Sequence, residues 1–450
     1  VVSGRSSDAG SLRARGQSLP EIVVAPPGPR SRELAARLAD AESPAVDARR
    51  AERARESGEE QTPIVYARGA GANVEDVDGN RYVDLVAGFG ALLLGHAPQQ
   101  VSSAVAAQMD RLWLALGDVF PSDAKVRLCE ELATLYPEQG ARVMLGTSGA
   151  DAVTAALKTA VLATGRSGVV AFEGGYHGLS YAPLAACGLR PSFREPFAAQ
   201  LNAKVVFAPY PDGTSSLEAT MRAVRTALAG GDAGAVLVEP ILGRGGCVVP
   251  PVEFLPSLRR ACHEAGALLV CDEIWTGLGR SGAWLASLAA GVVPDIVCLA
   301  KGLGGGMPIS ACVGSAAAMS AWGAHGGSTI HTATHFGAPP ACSAALATLS
   351  FLRARRLPER AEETGARWME RLRERTAGRG VRAVRGRGLM VGVVLEGGAA
   401  RALAVTRRLL GAGYIVLTGG VAGDVLTLTP PLDIDEALLD AFADALTRAL

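Results

Sequence analysis

The chain is 450 residues long, 49% hydrophobic and 20% charged, and its 44 basic residues balance its 44 acidic ones. Such a length holds two to three domain-sized units with ample core, and 55 glycines mark a soluble, loop-punctuated globular protein. Neutral charge without a basic, aromatic-interleaved stripe excludes nucleic acid as the expected partner, and no apolar run approaches the ~18 residues of a membrane span.

In chain order, residues 1–20 are rich in Ser, Arg and Gly without periodicity and read as a disordered tail, a composition shared with transit peptides. "SRELAARLADAE" follows as a short amphipathic helix and "AVDARRAERARESGEEQ" as a charged, solvated segment, so ordered structure is expected to begin near Pro63. "GANVEDVDGNRYVDLVAG" alternates apolar and polar residues about a central Asp-Gly, which predicts a β-hairpin. From about residue 141, short apolar runs alternate with helical stretches. The strand candidates are "RVMLG", "GVVAFE", "KVVFAP", "AVLVEP", "ALLVCDE" and "DIVCLAK", with helices expected over 150–164, 216–229, 251–265 and 282–290. That alternation predicts a mostly parallel sheet covered by helices on both faces. Beyond residue 343 come a long helix, a strand "GLMVGVVLE", a helix over 399–411, strands "YIVLTG" and "VLTLTP", and a final helix over 435–449. This end reads as a smaller α+β domain that the early hairpin joins. The expected divisions are an extension over 1–62, the first part of the small domain over 63–115, a large domain over 116–343, and the rest of the small domain over 344–450.

The eight cysteines form no CxxC pair and mostly lie inside apolar runs, the pattern of reduced, buried thiols in a cytoplasmic protein. Six histidines without HxxxH or HExxH spacing argue against a metal site. Among the 44 basic residues only Lys125, Lys158, Lys204 and Lys301 are lysines. Lys301 closes the apolar run "DIVCLA" and precedes a glycine cluster, whereas Asp272 and Glu273 close "ALLVC". If both runs are strands of one βαβ unit, a right-handed crossover brings Asp272 and Lys301 to the same sheet edge. There they form either a simple ion pair or an acid beside an amine kept for covalent chemistry, which arginine cannot perform. Glu239 closes "AVLV" at the same edge. Ser148, Gly149 and Ala150 open a helix after "RVML", which is either an ordinary N-cap or an anion site suited to phosphate. "EGGYHG" adds Tyr176 and His177 after the next strand, as a surface turn or as part of the same site. "GLGRSG" (277–282) matches the dinucleotide fingerprint, but about one chance match is expected in so glycine-rich a chain, so an NAD-dependent oxidoreductase is a weak reading.

Joined together, the parts describe a site for pyridoxal 5′-phosphate. From about Pro63 onward the chain resembles a class III aminotransferase, of the fold-type I pyridoxal-phosphate enzymes. The resemblance runs in order through "DVDGNRYVDLVAG" with "LGH", "TSGADAVTAALKTA", "GGYHG", "VEPILGRGG", "LLVCDEIWTGLGRSG", "AKGLGGGMPISA", "THFGAPPAC", "RGRGLMVG" and "LTPPL". It implies that Lys301 carries the cofactor as a Schiff base and then shuttles a proton, and that Asp272 keeps the pyridine nitrogen protonated. By the same resemblance Ser148, Gly149 and Ala150 hold the phosphate, Tyr176 and Ile274 enclose the ring with His177 beside them, and Glu239 stands on the substrate side. Thr334 of "THF" corresponds to a threonine that reaches the phosphate from the neighbouring subunit, which implies a homodimer with composite sites. Trp275 stands where the family often has glutamine, "SGADA" replaces the usual SGxEA, and Thr427 replaces an arginine of relatives specific for α-amino acids. These features predict transamination by a ping-pong mechanism from an ω-amine, amino sugar or similar donor to an oxo acid or aldehyde. An aminomutase or racemase of the same fold is the alternative, and, since Thr427 cannot bind an α-carboxylate, the other possibility is that Arg244 or Arg387 takes over that duty.

Overall fold

The computed structural model describes residues 16–324 and 327–450. Up to residue 15, the tail expected over 1–20 lies outside the described residues. Two units divide the chain: one runs to Pro98 and resumes over Arg360–Leu450, and the other is Gln99–Glu359.

In the first unit, order starts well before Pro63. Helices Pro29–Ala39 and Pro44–Ser57 occupy the segment read from sequence as an extension, the second with no buried side chain. The hairpin turn itself holds this segment. Asn80 Oδ1 accepts the backbone N–H groups of Val23 and Val24 at 2.8 and 2.9 Å, and Asp78 accepts those of Arg30 and Ser31. Polar residues chosen for a turn therefore also dock the chain that precedes it. Strands β1 (Tyr66–Ala70), β2 (Asn73–Asp76) and β3 (Arg81–Asp84) form an antiparallel meander, and Gly79 at φ 93° supplies the left-handed turn between β2 and β3.

The second unit is built on a seven-stranded sheet. Its strands are β4 (Arg142–Gly146), β5 (Gly168–Phe172), β6 (Val205–Ala208), β7 (Ala233–Val238), β8 (Leu268–Asp272), β9 (Ile296–Leu299) and β10 (Ser310–Gly314), in the order β4-β10-β9-β8-β7-β5-β6. β5 to β9 pair in parallel, as expected from sequence. β10 was not expected. It runs antiparallel between β9 and β4, because residues 300–309 are too few for a crossover, which takes a dozen or more.

Alternate residues of these strands feed two cores. Val170, Phe172, Val236, Val238, Leu269 and Cys271 pack against helices Leu217–Ala229 and Phe254–Ala265, while Val169, Ala171, Ala235, Leu237, Val270 and Ile296 pack against helix Gly149–Thr164. Both faces are covered, which is why the strands read as continuous apolar runs; each buried Val or Leu contributes about 1.5–3 kcal/mol. Helix Gln99–Arg111 packs on helix Pro339–Ala354, so the unit begins at residue 99 rather than at the expected 116 and ends at 359 rather than 343.

The helix expected over 282–290 is shorter, Ala286–Ala289. After residue 343 the single long helix is two, Pro339–Ala354 and Leu357–Thr376. The first unit is then completed by β11 (Val381–Arg387), β12 (Met390–Leu395), helix Gly398–Gly411, β13 (Tyr414–Ile415), β14 (Leu417–Gly419), β15 (Val425–Leu428) and helix Glu436–Ala449. "YIVLTG" is divided: β13 pairs in parallel with β3, and β14 joins the sheet β11-β12-β15-β14.

Candidate active site

The C-terminal ends of β4, β5, β7, β8 and β9 carry the residues singled out from sequence. Asp272 is the last residue of β8 and pairs with Cys298 of β9; Lys301 follows two residues beyond the end of that strand. Asp272 is buried, and each of its carboxylate oxygens has one partner and a lone pair to spare. Its Oδ1 accepts the Ile274 N–H at 3.0 Å, and its Oδ2 lies 2.7 Å from His177 Nδ1. Burial opposes charge on the His177 ring, but the hydrogen bond and charge of Asp272, aided by Glu239, outweigh it and raise the imidazole above its ordinary value. His177 is thus no surface-turn residue. Its Nε2 is buried with no partner among the described residues.

Glu239 acts as a clip. One carboxylate oxygen accepts the Tyr176 N–H at 2.7 Å and the other the Gly243 N–H at 2.9 Å, joining the loops after β5 and β7. Burial pushes its carboxyl up to about 6, with the neighbouring Asp272 charge adding to the rise. The Arg244 guanidinium lies 4.3 Å from the Tyr176 ring centroid. The Lys301 amine sits 4.6 Å from the centroid of the Trp275 ring, which presses against Gly243 so closely that a Cβ there would meet Trp275 at 2.3 Å. Burial lowers the Lys301 pKa and the Arg244 charge adds to the effect, against Asp272 and Glu239. The amine therefore loses its proton more readily than a surface lysine, which makes it a better nucleophile.

At the end of β4, Ser148 caps helix Gly149–Thr164: its side chain accepts the Asp151 N–H, while Asp151 accepts from Thr147 and Ser148. That capping box leaves the N–H groups of Gly149 and Ala150 with no acceptor among the described residues. Gly149 also lacks the Cβ that would stand 2.8 Å from Ile274 Cδ1, which keeps the space beside Ile274 open. A primary amine of lowered basicity, a fixed carboxylate, an aromatic ring and open amide donors at a helix N-terminus form the donor set that pyridoxal phosphate requires. The residues fit it.

Contacts thus join Asp272 to His177 and Ile274, Glu239 to Tyr176 and Gly243, Arg244 to Tyr176 and Lys301 to Trp275, with Ile274 beside Gly149. Thr334 stands apart. It is exposed in a turn, with no hydrogen bond to the others among the described residues. The sequence places Glu273 beside Asp272 at the strand end but gives it no role. It is buried, accepts from Thr276, Ala286 and Ser287, and anchors the loop that follows Asp272; the polar residues three and fourteen positions on were its only signal. Among the described residues no cluster of His, Cys, Asp or Glu could hold a metal ion. In the other unit, Thr427 is buried in β15 opposite Gly392, and Arg387 lies near Glu362 at 3.6 Å.

The chain matches the family described as Aminotransferase class-III over residues 54–450. It is 41% identical over 395 residues to an acetylornithine aminotransferase of Mycobacterium tuberculosis, covering 86% of this chain and 92% of that protein. To the acetylornithine aminotransferase of Methanosarcina mazei it is 35% identical over 387 residues, with the same coverage of 86% and 92%. Among solved structures, a PLP-bound amine transaminase from an uncultivated Pseudomonas species superposes with a TM-score of 0.81 at 31% identity, covering 86% of this chain and 95% of that one. The ornithine aminotransferase of Toxoplasma gondii superposes at 0.78 and 30% identity, covering 86% and 90%.

Proposed function

The chain belongs to the class III aminotransferases, whose cofactor is pyridoxal 5′-phosphate, and from that premise we propose that it moves an amino group by ping-pong exchange from an ω-amine, amino sugar or similar donor to an oxo acid or aldehyde. The observation that carries the reading is the Lys301 amine, lowered in pKa, beyond the strand next to the one that ends in Asp272. When bound, the cofactor supplies an electron sink that allows the C–H bond beside the amine nitrogen to be broken. Lys301 would hold the group covalently through Nζ and, as a free amine, would carry the substrate's proton at that atom. Asp272, fixed by His177, would hold the proton on the pyridine nitrogen. The Gly149 and Ala150 N–H groups, with Ser148, bind the phosphate; Tyr176 and Ile274 enclose the ring, and Glu239 fixes the loop that bears Tyr176.

For the donor, Thr427 lacks the guanidinium fork that matches an α-carboxylate. Acetylornithine and ornithine, the compounds that name several relatives, carry a side-chain amine distant from the carboxylate. Both points support an amine remote from any carboxylate. The cofactor's spectral change on mixing with terminal diamines and amino sugars, compared with alanine and glutamate, tests this. The first group should react faster; α-amino acids ahead by tenfold would overturn the donor assignment.

We place the enzyme in the cytoplasm as a homodimer. None of the eight cysteines forms a disulfide and seven are buried, and burial pushes the thiols of Cys262, Cys312 and Cys342 up to about 12. The second subunit is supported by an exposed apolar segment that includes Trp113, Leu116, Val119 and Phe120. Gly117 in that segment lies against the Phe336 carbonyl, and Lys125 donates to the Gly117 carbonyl, so the turn bearing Thr334 borders the same apolar surface. Thr334 then serves the partner's phosphate site and not its own.

A further inference from the structure

The geometry points to Arg244 as the residue that recognises a carboxylate on the substrate, at the end away from the reacting amine. The proposal rests on the transamination reading above and adds the chemical class of the substrate's far end. Arg244 sits at the tip of a closed turn: Leu242 and Val248 exchange backbone hydrogen bonds at 3.0 and 3.1 Å, and the Gly246 and Cys247 N–H groups both donate to the Gly243 carbonyl. The turn is tied to the site from below, because the Glu239 carboxylate that fixes Gly243 also fixes Tyr176. One buried group therefore sets both partners of the Arg244–Tyr176 stack. Such an arrangement holds a guanidinium in place without consuming its hydrogen-bond donors.

Those donors have no carboxylate to meet. No ion pair engages Arg244 among the described residues, and the oxygens of Glu239 are already occupied by backbone N–H groups. A half-buried guanidinium without a counter-ion is a standing electrostatic cost that an anionic ligand relieves. Its charge is felt at Lys301, and the two are linked through packing: the amine lies over Trp275, Trp275 against Gly243, and Gly243 precedes Arg244. The phosphate of the cofactor has its own donors at helix Gly149–Thr164, which leaves the Arg244 fork for the substrate. A carboxylate matches that fork with two parallel hydrogen bonds. Arg387, the other arginine considered from sequence, faces Glu362.

The test uses the holoenzyme and two amines of equal length, 5-aminopentanoate and pentylamine, which differ by the carboxylate. Loss of a charge-assisted pair lowers affinity about 10- to 100-fold. Arg244→Gln should therefore reduce the kcat/KM preference for 5-aminopentanoate over pentylamine by that factor, with Arg244→Lys retaining part of it. Glutarate, which cannot react, gives a readout independent of turnover: by calorimetry its Kd should rise at least about tenfold in Arg244→Gln. An unchanged preference together with unchanged glutarate binding would overturn the assignment, as would an equal fall with both amines, the sign of a merely structural role. If wild type reacts with neither amine, the donor reading fails, and glutarate binding alone still decides for or against Arg244.

Discussion

Lys301 and Asp272 announce themselves in sequence because each interrupts an apolar run at its end, and a strand end is where a parallel sheet presents side chains to ligands. Arg244 does not, since one arginine in a glycine-rich turn among 44 basic residues carries no pattern; only the fold brings it onto Tyr176. The His177–Asp272 contact was hidden in the same way, for the two residues are far apart in the chain, and His177 reaches the end of β8 from the segment after β5. That contact has a pH signature. The His177 pKa is raised in the folded state, so its stabilisation is complete below the ordinary imidazole value of about 6.5 and is lost as pH rises through the folded value. In urea unfolding, the gap between wild type and His177→Gln should therefore narrow as pH rises above the ordinary imidazole value; a widening gap contradicts the assignment. Gly149→Ala probes the ring pocket. The new Cβ would displace Ile274 rather than the helix, at a cost of about 1–3 kcal/mol to whatever Ile274 packs against. Cofactor affinity, measured by equilibrium dialysis, should fall about tenfold or more while the melting temperature drops by only a few degrees.

Elements with one dominant period were readable, and those that mix roles were not. The six apolar strands were all found: β5, β7, β8 and β9 are buried on both faces, and the edge strands β4 and β6, though partly exposed, keep apolar runs. β10, "SACVG", was lost beside the glycine cluster that precedes it. β11, "VRAVRGR", was lost because its arginines leave one buried residue in seven. The segment before Pro63 looked solvated because its helices are charged; what orders it are hydrogen bonds from a turn more than forty residues later. Asn80→Ala should accordingly free the backbone at Val23 and Val24, seen as faster amide exchange there with the rest of the hairpin protected; unchanged exchange contradicts this account. The loop after Asp272 depends on Glu273 in the same manner. Glu273→Ala strands several buried donors at once and should cost about 3 kcal/mol or more in denaturant unfolding, whereas a cost under about 1 kcal/mol would show that water replaces the carboxylate.

For the molecule as a whole, the joining of the early hairpin to the C-terminal elements was an expectation, and the parallel sheet followed from the order of strands and helices alone. Subunit assembly did not. The segment from Leu112 to Phe120 reads as an ordinary apolar stretch until the fold leaves Trp113 at 66% and Phe120 at 68% exposure. A surface of that kind is costly in a monomer and natural beneath a partner. Replacing Trp113 and Phe120 together by glutamate should shift sedimentation to the monomer and abolish activity. A fully active monomer would remove the role of Thr334 along with the dimer.

The central claim is that Lys301, of the four lysines in the chain, bears the cofactor. Borohydride reduction of the purified holoenzyme followed by peptide mapping tests it directly. The account predicts one cofactor adduct, on Lys301, and complete loss of both adduct and turnover in a folded Lys301→Ala variant. An adduct on Lys125, Lys158 or Lys204, or turnover that survives the substitution, would contradict it.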